Sequence, residues 1–283
     1  MAYTFTYLQP QQQDTANAAI DWFKANWGIS AKYIEVEAEV KPDIRLRPTF
    51  VARTNDHHTL CIEVMSSAYH QRLDSFILAC QKDSLPVLMF VAVPKDFRDR
   101  DLNSNLKAAR TAGVGILEVG KNSGDLRSNA LSTSLTGVRA VDLKSFPAKY
   151  RQSLQQAEQS FRDGQPAKAC SMVYDELEAA FFKFATKCEK NGLWTPKNPI
   201  STYGWANLVK AMNSLDRSHK GTKAVSDLML ASMLSVTPHR NESGHKPKDQ
   251  TELIKRDKRL RTRFESAVDL LHEFLTATSS LKI

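Results

Sequence analysis

The chain has 283 residues, of which 42% are hydrophobic and 25% are charged. This balance is typical of a folded globular protein and excludes a disordered or collagen-like chain, and the length favours two domains. The net charge of +8 suits a polyanionic partner such as nucleic acid and is also compatible with plain solubility.

The beginning of the chain, its apolar runs and its cysteine spacing further restrict the class of protein. The chain does not begin with a basic-then-apolar signal pattern, and no window approaches 18 uninterrupted apolar residues. No two of the four cysteines form a C-x-x-C pair, which excludes zinc-ribbon and thioredoxin sites. We therefore predict a cytoplasmic protein with no membrane partner and with buried free thiols at Cys61, Cys80, Cys170 and Cys188.

The first 120 residues alternate between helical and strand patterns. Apolar spacing predicts a helix over residues 13–27 that ends at Gly28, and strict alternation predicts a half-exposed strand over 33–40. Two more strands are predicted over 43–53 and 59–65, with a hairpin turn at 55–58. A helix over 70–83, a buried strand over 87–93, a helix over 101–112 and a strand over 114–119 complete the pattern.

This order resembles the restriction-endonuclease-like PD-(D/E)xK core over roughly residues 13–120. Asp43 follows a proline on the second predicted strand, and Glu63-Val64-Met65 occupies the acid-x-lysine position of the third. The resemblance implies that Asp43 and Glu63 share Mg²⁺ or Mn²⁺ through hard oxygen ligands. Met65 replaces the lysine that orients the attacking water, which predicts a degenerate site used for sensing or binding. Arg72 and Lys82 on the following helix are candidate replacements for that lysine.

Residues 121–147 lose apolar periodicity and are rich in Ser, Thr and Asn, which predicts a loop or linker. Within it, residues 138–143 are interpreted as a short edge strand or a docking segment. Pro147 then opens a helical half.

The second half has helical apolar spacing throughout, except at a loop over 190–203 and a short segment near residue 240. Four or five helices are predicted, and together they predict an up-down bundle. Their Met and Phe stripes are interpreted as core.

The segment near residue 240 reads His-Arg-Asn-Glu-Ser-Gly-His over residues 239–245. Arg240 is a permanent cation that can form two hydrogen bonds to phosphate oxygens, and His245 can exchange a proton near neutral pH. These are the groups that metal-free RNA cleavage requires. Positions five apart on a regular helix point roughly 140° from each other, so the two side chains meet only if the backbone breaks. Gly244 and Pro247 favour such a break.

Residues 148–283 resemble the HEPN superfamily, helical domains that include metal-independent ribonucleases of defence, toxin and stress systems. The resemblance rests on Arg240, four intervening residues and His245, with Asn241 in the polar position. It implies an endoribonuclease with catalytic Arg240, His245 and Asn241, with Glu178 pairing a cation nearby. It also implies a homodimer whose two motifs build one composite site, with no cofactor.

Basic residues follow the motif closely. We interpret them as a phosphate-tracking surface and assign nucleic-acid binding to five of them, Lys246, Lys248, Lys255, Arg256 and Arg259. Lys258, Arg261 and Arg263 add to the same stretch.

The expected fold is therefore α+β and multidomain, with a restriction-endonuclease-like α/β domain over residues 1–120, a linker over 121–147 and a HEPN-like bundle over 148–283. The expected partner is RNA, with DNA as the alternative and a regulatory protein as a further partner. Two rival functions remain open. One is a metal-dependent DNA nuclease using Asp43 and Glu63, and the other is a non-catalytic nucleic-acid-binding adaptor.

Overall fold

A computed structural model describes residues 3–121, 123–236 and 247–281. The chain divides into two compact units. Unit 1 contains the described residues up to 137 together with 162–164 and 247–259, and unit 2 contains 138–161, 165–236 and 260–281. Sequence from the helical half therefore returns to unit 1, which the sequence analysis did not predict.

Unit 1 is built on one six-stranded mixed sheet whose strands follow one another in chain order. Strands β1, β2 and β3 are antiparallel, β3, β4 and β5 are parallel, and β6 returns antiparallel to β5. Their bounds are β1 Glu35–Val36, β2 Phe50–Arg53, β3 Thr59–Val64, β4 Val87–Pro94, β5 Gly115–Gly120 and β6 Ser123–Ser128.

Three helices accompany the sheet, α1 Pro10–Trp27, α2 Arg72–Lys82 and α3 Leu102–Ala112. Side chains alternate across a strand, and β3 divides its residues accordingly. Leu60, Ile62 and Val64 pack in one apolar cluster with residues of α1, whereas Cys61 and Met65 pack in a second cluster with residues of α2. By the same alternation, Glu63 points to the face that α2 covers, which brings it near that helix.

The predicted strands over 33–40 and 43–53 are wrong in extent. Strand β1 has only two residues, and Glu37 just beyond it has a φ of 51°, a left-handed conformation that ends the strand. Strand β2 begins at Phe50, so Asp43 lies in an exposed turn in which the Ile44 N–H donates to the Lys41 carbonyl. The remaining predicted elements of the first 120 residues are confirmed, including the turn before β3.

The predicted linker over 121–147 is wrong for its first part. Strand β6 forms there because its backbone pairs with β5. The Thr133 N–H then donates to the Val87 carbonyl, and the Thr133 hydroxyl accepts from the Val87 N–H. These bonds satisfy polar backbone groups next to β4, and they explain why a Ser- and Thr-rich stretch is buried. Residues 138–143 form neither an edge strand nor any other strand.

The second half of the chain forms five α-helices among its described residues, as its apolar spacing predicts. They are α4 Ala148–Arg162, α5 Pro166–Lys190, α6 Trp205–Ala211, α7 Asp227–Val236 and α8 Gln250–Ala277. The positions predicted as core on α4 are buried, and so are those on α5 except Met172, which is half-buried. The rings of Phe181, Phe184 and Phe274 pack together within unit 2. Short 3-10 turns occur at Ala31–Tyr33, Leu143–Ser145, Ile200–Thr202, Met212–Ser214 and Ser279–Leu281.

All four cysteines are buried and free, which confirms the prediction for them. Among the helices of the described ranges, none combines the length and apolar character that a membrane crossing requires.

Candidate functional site

The Arg240–His245 motif occupies the chain between α7, which ends at Val236, and α8, which begins at Gln250. Arg240, Asn241, His245 and Lys246 lie outside the described residues. Their assigned roles therefore stay predictions from the sequence.

Glu178, the predicted acidic partner of that motif, lies on α5 and is half-buried. Glu176, two residues earlier, is half-buried as well, and its negative charge acts together with burial to raise the pKa of the Tyr150 hydroxyl. Asp175 is exposed. Two half-buried glutamates thus share this part of the helix.

The predicted basic surface follows on the first turns of α8. Lys255, Lys258 and Arg259 are exposed, as is Lys248 before the helix, whereas Arg256 is half-buried. This part of α8 belongs to unit 1. Four positively charged side chains are therefore exposed at the surface, where a polyanion can reach them.

The predicted metal ligands Asp43 and Glu63 have different surroundings. Asp43 is exposed in the turn before β2, whereas Glu63 is buried on β3. One Glu63 carboxylate oxygen accepts hydrogen bonds from the Thr49 N–H at 3.0 Å and from the Thr49 hydroxyl at 3.3 Å. The other carboxylate oxygen pairs with the Arg72 guanidinium. Both oxygens of Glu63 therefore already have partners.

The electrostatics of Glu63 follow from this geometry. Burial raises the pKa of its carboxyl group, because a charge is poorly solvated inside a protein. The positive charge of Arg72 and the bonds from Thr49 oppose that rise. Arg72 was one of two predicted replacements for the missing lysine, and the structure places its cation on the acid, whereas Lys82 is exposed at the end of α2.

These residues do not fit a divalent cation. A metal ion at Glu63 would have to displace the Arg72 guanidinium, and the buried Met65 offers no hard oxygen ligand. In the described ranges, no group of three or more His, Cys, Asp and Glu side chains is arranged to hold a metal ion. We therefore derive no catalytic step from a metal at this position.

A buried polar cluster in unit 1 escaped the sequence analysis. Asp257 of α8 is fully buried and accepts a hydrogen bond from the Ser134 hydroxyl. The Nε2 atom of His58, also buried, lies 3.9 Å from the same Asp257 oxygen. The His58 Nδ1 atom lies 3.3 Å from an Asp56 oxygen. We call these four residues the Asp257 cluster.

The Asp257 cluster connects three distant parts of the sequence. Asp56 and His58 belong to the turn between β2 and β3, Ser134 belongs to the segment after β6, and Asp257 belongs to α8. The nearby His58 imidazole is the largest influence on Asp56 and lowers the pKa of its carboxyl group. Because Asp257 has no access to solvent, we infer that the Asp257 cluster has a structural role and fixes the start of α8 within unit 1.

One sequence signal for the Asp257 cluster was present. Leu253, Leu260 and Phe264 repeat at helical spacing and are buried, and Asp257 occupies the same stripe. A carboxylate on an apolar stripe requires a buried partner. The surrounding lysines and arginines instead favoured an exposed surface for the whole stretch.

Comparison of the chain with models of known protein families, with curated proteins and with solved structures found no match.

Proposed function

We propose that this chain is a metal-independent endoribonuclease of the HEPN type, with Arg240 and His245 as its reactive pair. The observation that carries the proposal is their spacing, an arginine and a histidine separated by four residues in the segment between α7 and α8. The helical character of the second half and the exposed cations at the start of α8 support it.

The chemistry follows from the two side chains. His245 acts as general base on the ribose 2′-hydroxyl or as general acid on the leaving 5′-oxygen. Arg240 holds the scissile phosphate and stabilises the charge that develops on it. Asn241 orients the histidine or a phosphate oxygen. Attack by the 2′-oxygen leaves a 2′,3′-cyclic phosphate on one product and a 5′-hydroxyl on the other.

Two copies of the chain complete this site in the proposal. A twofold dimer brings both Arg240 and both His245 side chains into one cleft. Glu178 pairs with a cation beside it, and the basic residues at the start of α8 bind the RNA backbone. The N-terminal unit senses a trigger or binds nucleic acid, in a setting such as anti-phage defence or a toxin system regulated by a partner protein.

The principal alternative is a metal-dependent DNA nuclease at Asp43 and Glu63. The Arg72 pair on Glu63 and the exposed turn that holds Asp43 count against it. The second alternative is an adaptor that binds nucleic acid without cleaving it. The three functions differ in their metal requirement and in the residues on which they depend.

The test is cleavage of a mixed RNA pool by the purified full chain in EDTA. We expect Arg240→Ala and His245→Ala to lower the rate by about 10²-fold or more, since each removes a group that acts on the reacting phosphate. His219→Ala is the matched control, because His219 is an exposed histidine that does not belong to the 239–245 sequence motif. It should cleave like the wild type and give the same cyclic phosphate ends.

Three results would overturn the ribonuclease proposal. One is equal cleavage by the wild type and both motif variants. Another is cleavage that requires Mn²⁺ and disappears in Asp43→Ala or Glu63→Gln. The third is RNA binding without any cleavage, which would identify an adaptor.

A further inference from the structure

A basic cleft of about 330 Å³ lies on the surface of unit 1, apart from the motif and from the start of α8 in the sequence. One wall is a face of α3 and the other is a single arginine at the end of α4. Its lining residues are Asn103, Leu106, Lys107, Arg110, Thr111 and Arg162. We call it the α3 cleft.

The lining of the α3 cleft is cationic and polar. Three of its six residues carry a positive charge and none carries a negative charge. Asn103 adds an amide that can donate hydrogen bonds, whereas the Thr111 hydroxyl already donates to the Lys107 carbonyl at 2.9 Å. This set of donors is complementary to an anion with several oxygens.

The two cations of α3 are available to a ligand. Lys107 and Arg110 are exposed, and neither forms a salt bridge with any described residue. Their spacing of three residues puts both on one helix face, where like charges oppose helix formation. The pair therefore does not contribute to the stability of α3, and an anion bound in the cleft would relieve its repulsion.

We propose that the α3 cleft binds the phosphodiester backbone of a single RNA strand. The cations recognise phosphate oxygens, and the lining contains no aromatic ring on which a base would stack. Recognition in this cleft is consequently independent of base sequence. The identity of the polyanion as RNA rests on the proposed ribonuclease function, whereas its phosphate chemistry rests on the cleft alone.

The experiment measures binding of a fluorescent 2′-O-methyl RNA, which cannot be cleaved through its 2′-oxygen, to the full chain in EDTA over a series of salt concentrations. The test variant is Lys107→Gln with Arg110→Gln, which removes two charges and keeps long helix-forming side chains. The matched control is Arg53→Gln with Lys168→Gln, two exposed cations outside the cleft. Circular dichroism checks that both variants fold like the wild type.

We expect the test variant to bind this RNA about tenfold more weakly at low salt, uniformly across sequences. The slope of log affinity against log salt should become shallower by about 1.4, since each phosphate contact to a single strand contributes about 0.7. The control should keep the wild-type slope.

Three outcomes would overturn the α3 cleft proposal. One is no RNA binding by the wild type, and another is an equal affinity and slope for the test and control variants. The third comes from adenosine monophosphate and inorganic phosphate as separate ligands. If their binding depends on Lys107 and Arg110 while RNA binding does not, the cleft is a site for a free phosphate group. Because the RNA in this assay cannot be cleaved, the binding result can be interpreted even if the ribonuclease proposal is wrong.

Discussion

The two buried carboxylate groups of unit 1 show how similar chemistry can have different origins in the sequence. Glu63 is paired with Thr49 and Arg72, which lie within 14 residues of it along the chain. Asp257 accepts a hydrogen bond from Ser134, which lies 123 residues away, and it lies near His58 of the turn between β2 and β3. Glu63 was predicted to be a metal ligand, and Asp257 lies within a stretch that was predicted to be a basic surface. In both places burial and partners, not residue type, determine what the acid does.

The largest effect on stability is expected at Asp257. Asp257→Ala leaves the Ser134 hydroxyl without its buried acceptor, and an unsatisfied buried polar group costs about 2 kcal/mol. Urea unfolding followed by circular dichroism measures the loss.

Asp269→Ala is the matched control for that measurement, because it removes an acid of the same helix whose pair with Arg139 is exposed. An exposed pair contributes about 1 kcal/mol or less. Equal losses in the two variants would contradict the role assigned to the Asp257 cluster.

The pH dependence of stability has opposite signs for Glu63 and for Asp56 of the Asp257 cluster. The folded-state pKa of Glu63 is raised above its ordinary value, so the folded chain binds more protons than the unfolded chain. Its contribution to the free energy of unfolding therefore falls as pH rises through the window between those two values. The pKa of Asp56 is lowered, so its contribution is present above the ordinary value and is lost as pH falls toward the folded one.

Glu63→Gln and Asp56→Asn each remove one of these contributions, and urea unfolding from about pH 2 to pH 8 measures them. Glu63→Gln should abolish the fall with rising pH, and Asp56→Asn should reduce the loss in acid. Arg72→Gln should extend the Glu63 window upward, because the cation that opposes the pKa rise is gone. A pH profile unchanged by Glu63→Gln would refute the assignment.

Local patterns of the sequence predicted most elements, because helix faces and buried strands require apolar residues at fixed spacing. The apolar runs of β4 and α5 are long and regular, and the structure confirms a strand and a helix there. The alternating pattern failed where backbone geometry determines the end of a strand. At Glu37 a left-handed conformation ends β1, although the alternation of the sequence continues. The pattern also failed at β6, whose polar residues pair through backbone groups that any side chain permits.

The candidate sites were less predictable than the fold, because they depend on residues far apart in the chain. The carboxylate pair Asp43 and Glu63 was expected from the resemblance to the restriction-endonuclease-like core, which rests on the strand order and a short motif. Strand β2 begins at Phe50, seven residues after Asp43, so the acid lies in a turn and not on the strand. The Asp257 cluster required knowledge that α8 returns to unit 1, and no local pattern contains that information.

The smallest effect is expected at Asp43. Its side chain is exposed in a turn, and the turn is closed by the backbone bond between Ile44 and Lys41, which does not involve the carboxylate. Asp43→Ala should leave the urea midpoint unchanged, since surface substitutions away from such bonds have little effect on stability. It should also leave RNA cleavage in EDTA unchanged, because the proposed chemistry uses no metal. Cleavage lost in Asp43→Ala while the fold is intact would return the catalytic role to the N-terminal acids, and the contrast between Glu63 and Asp257 would then be one between a reacting and a structural carboxylate.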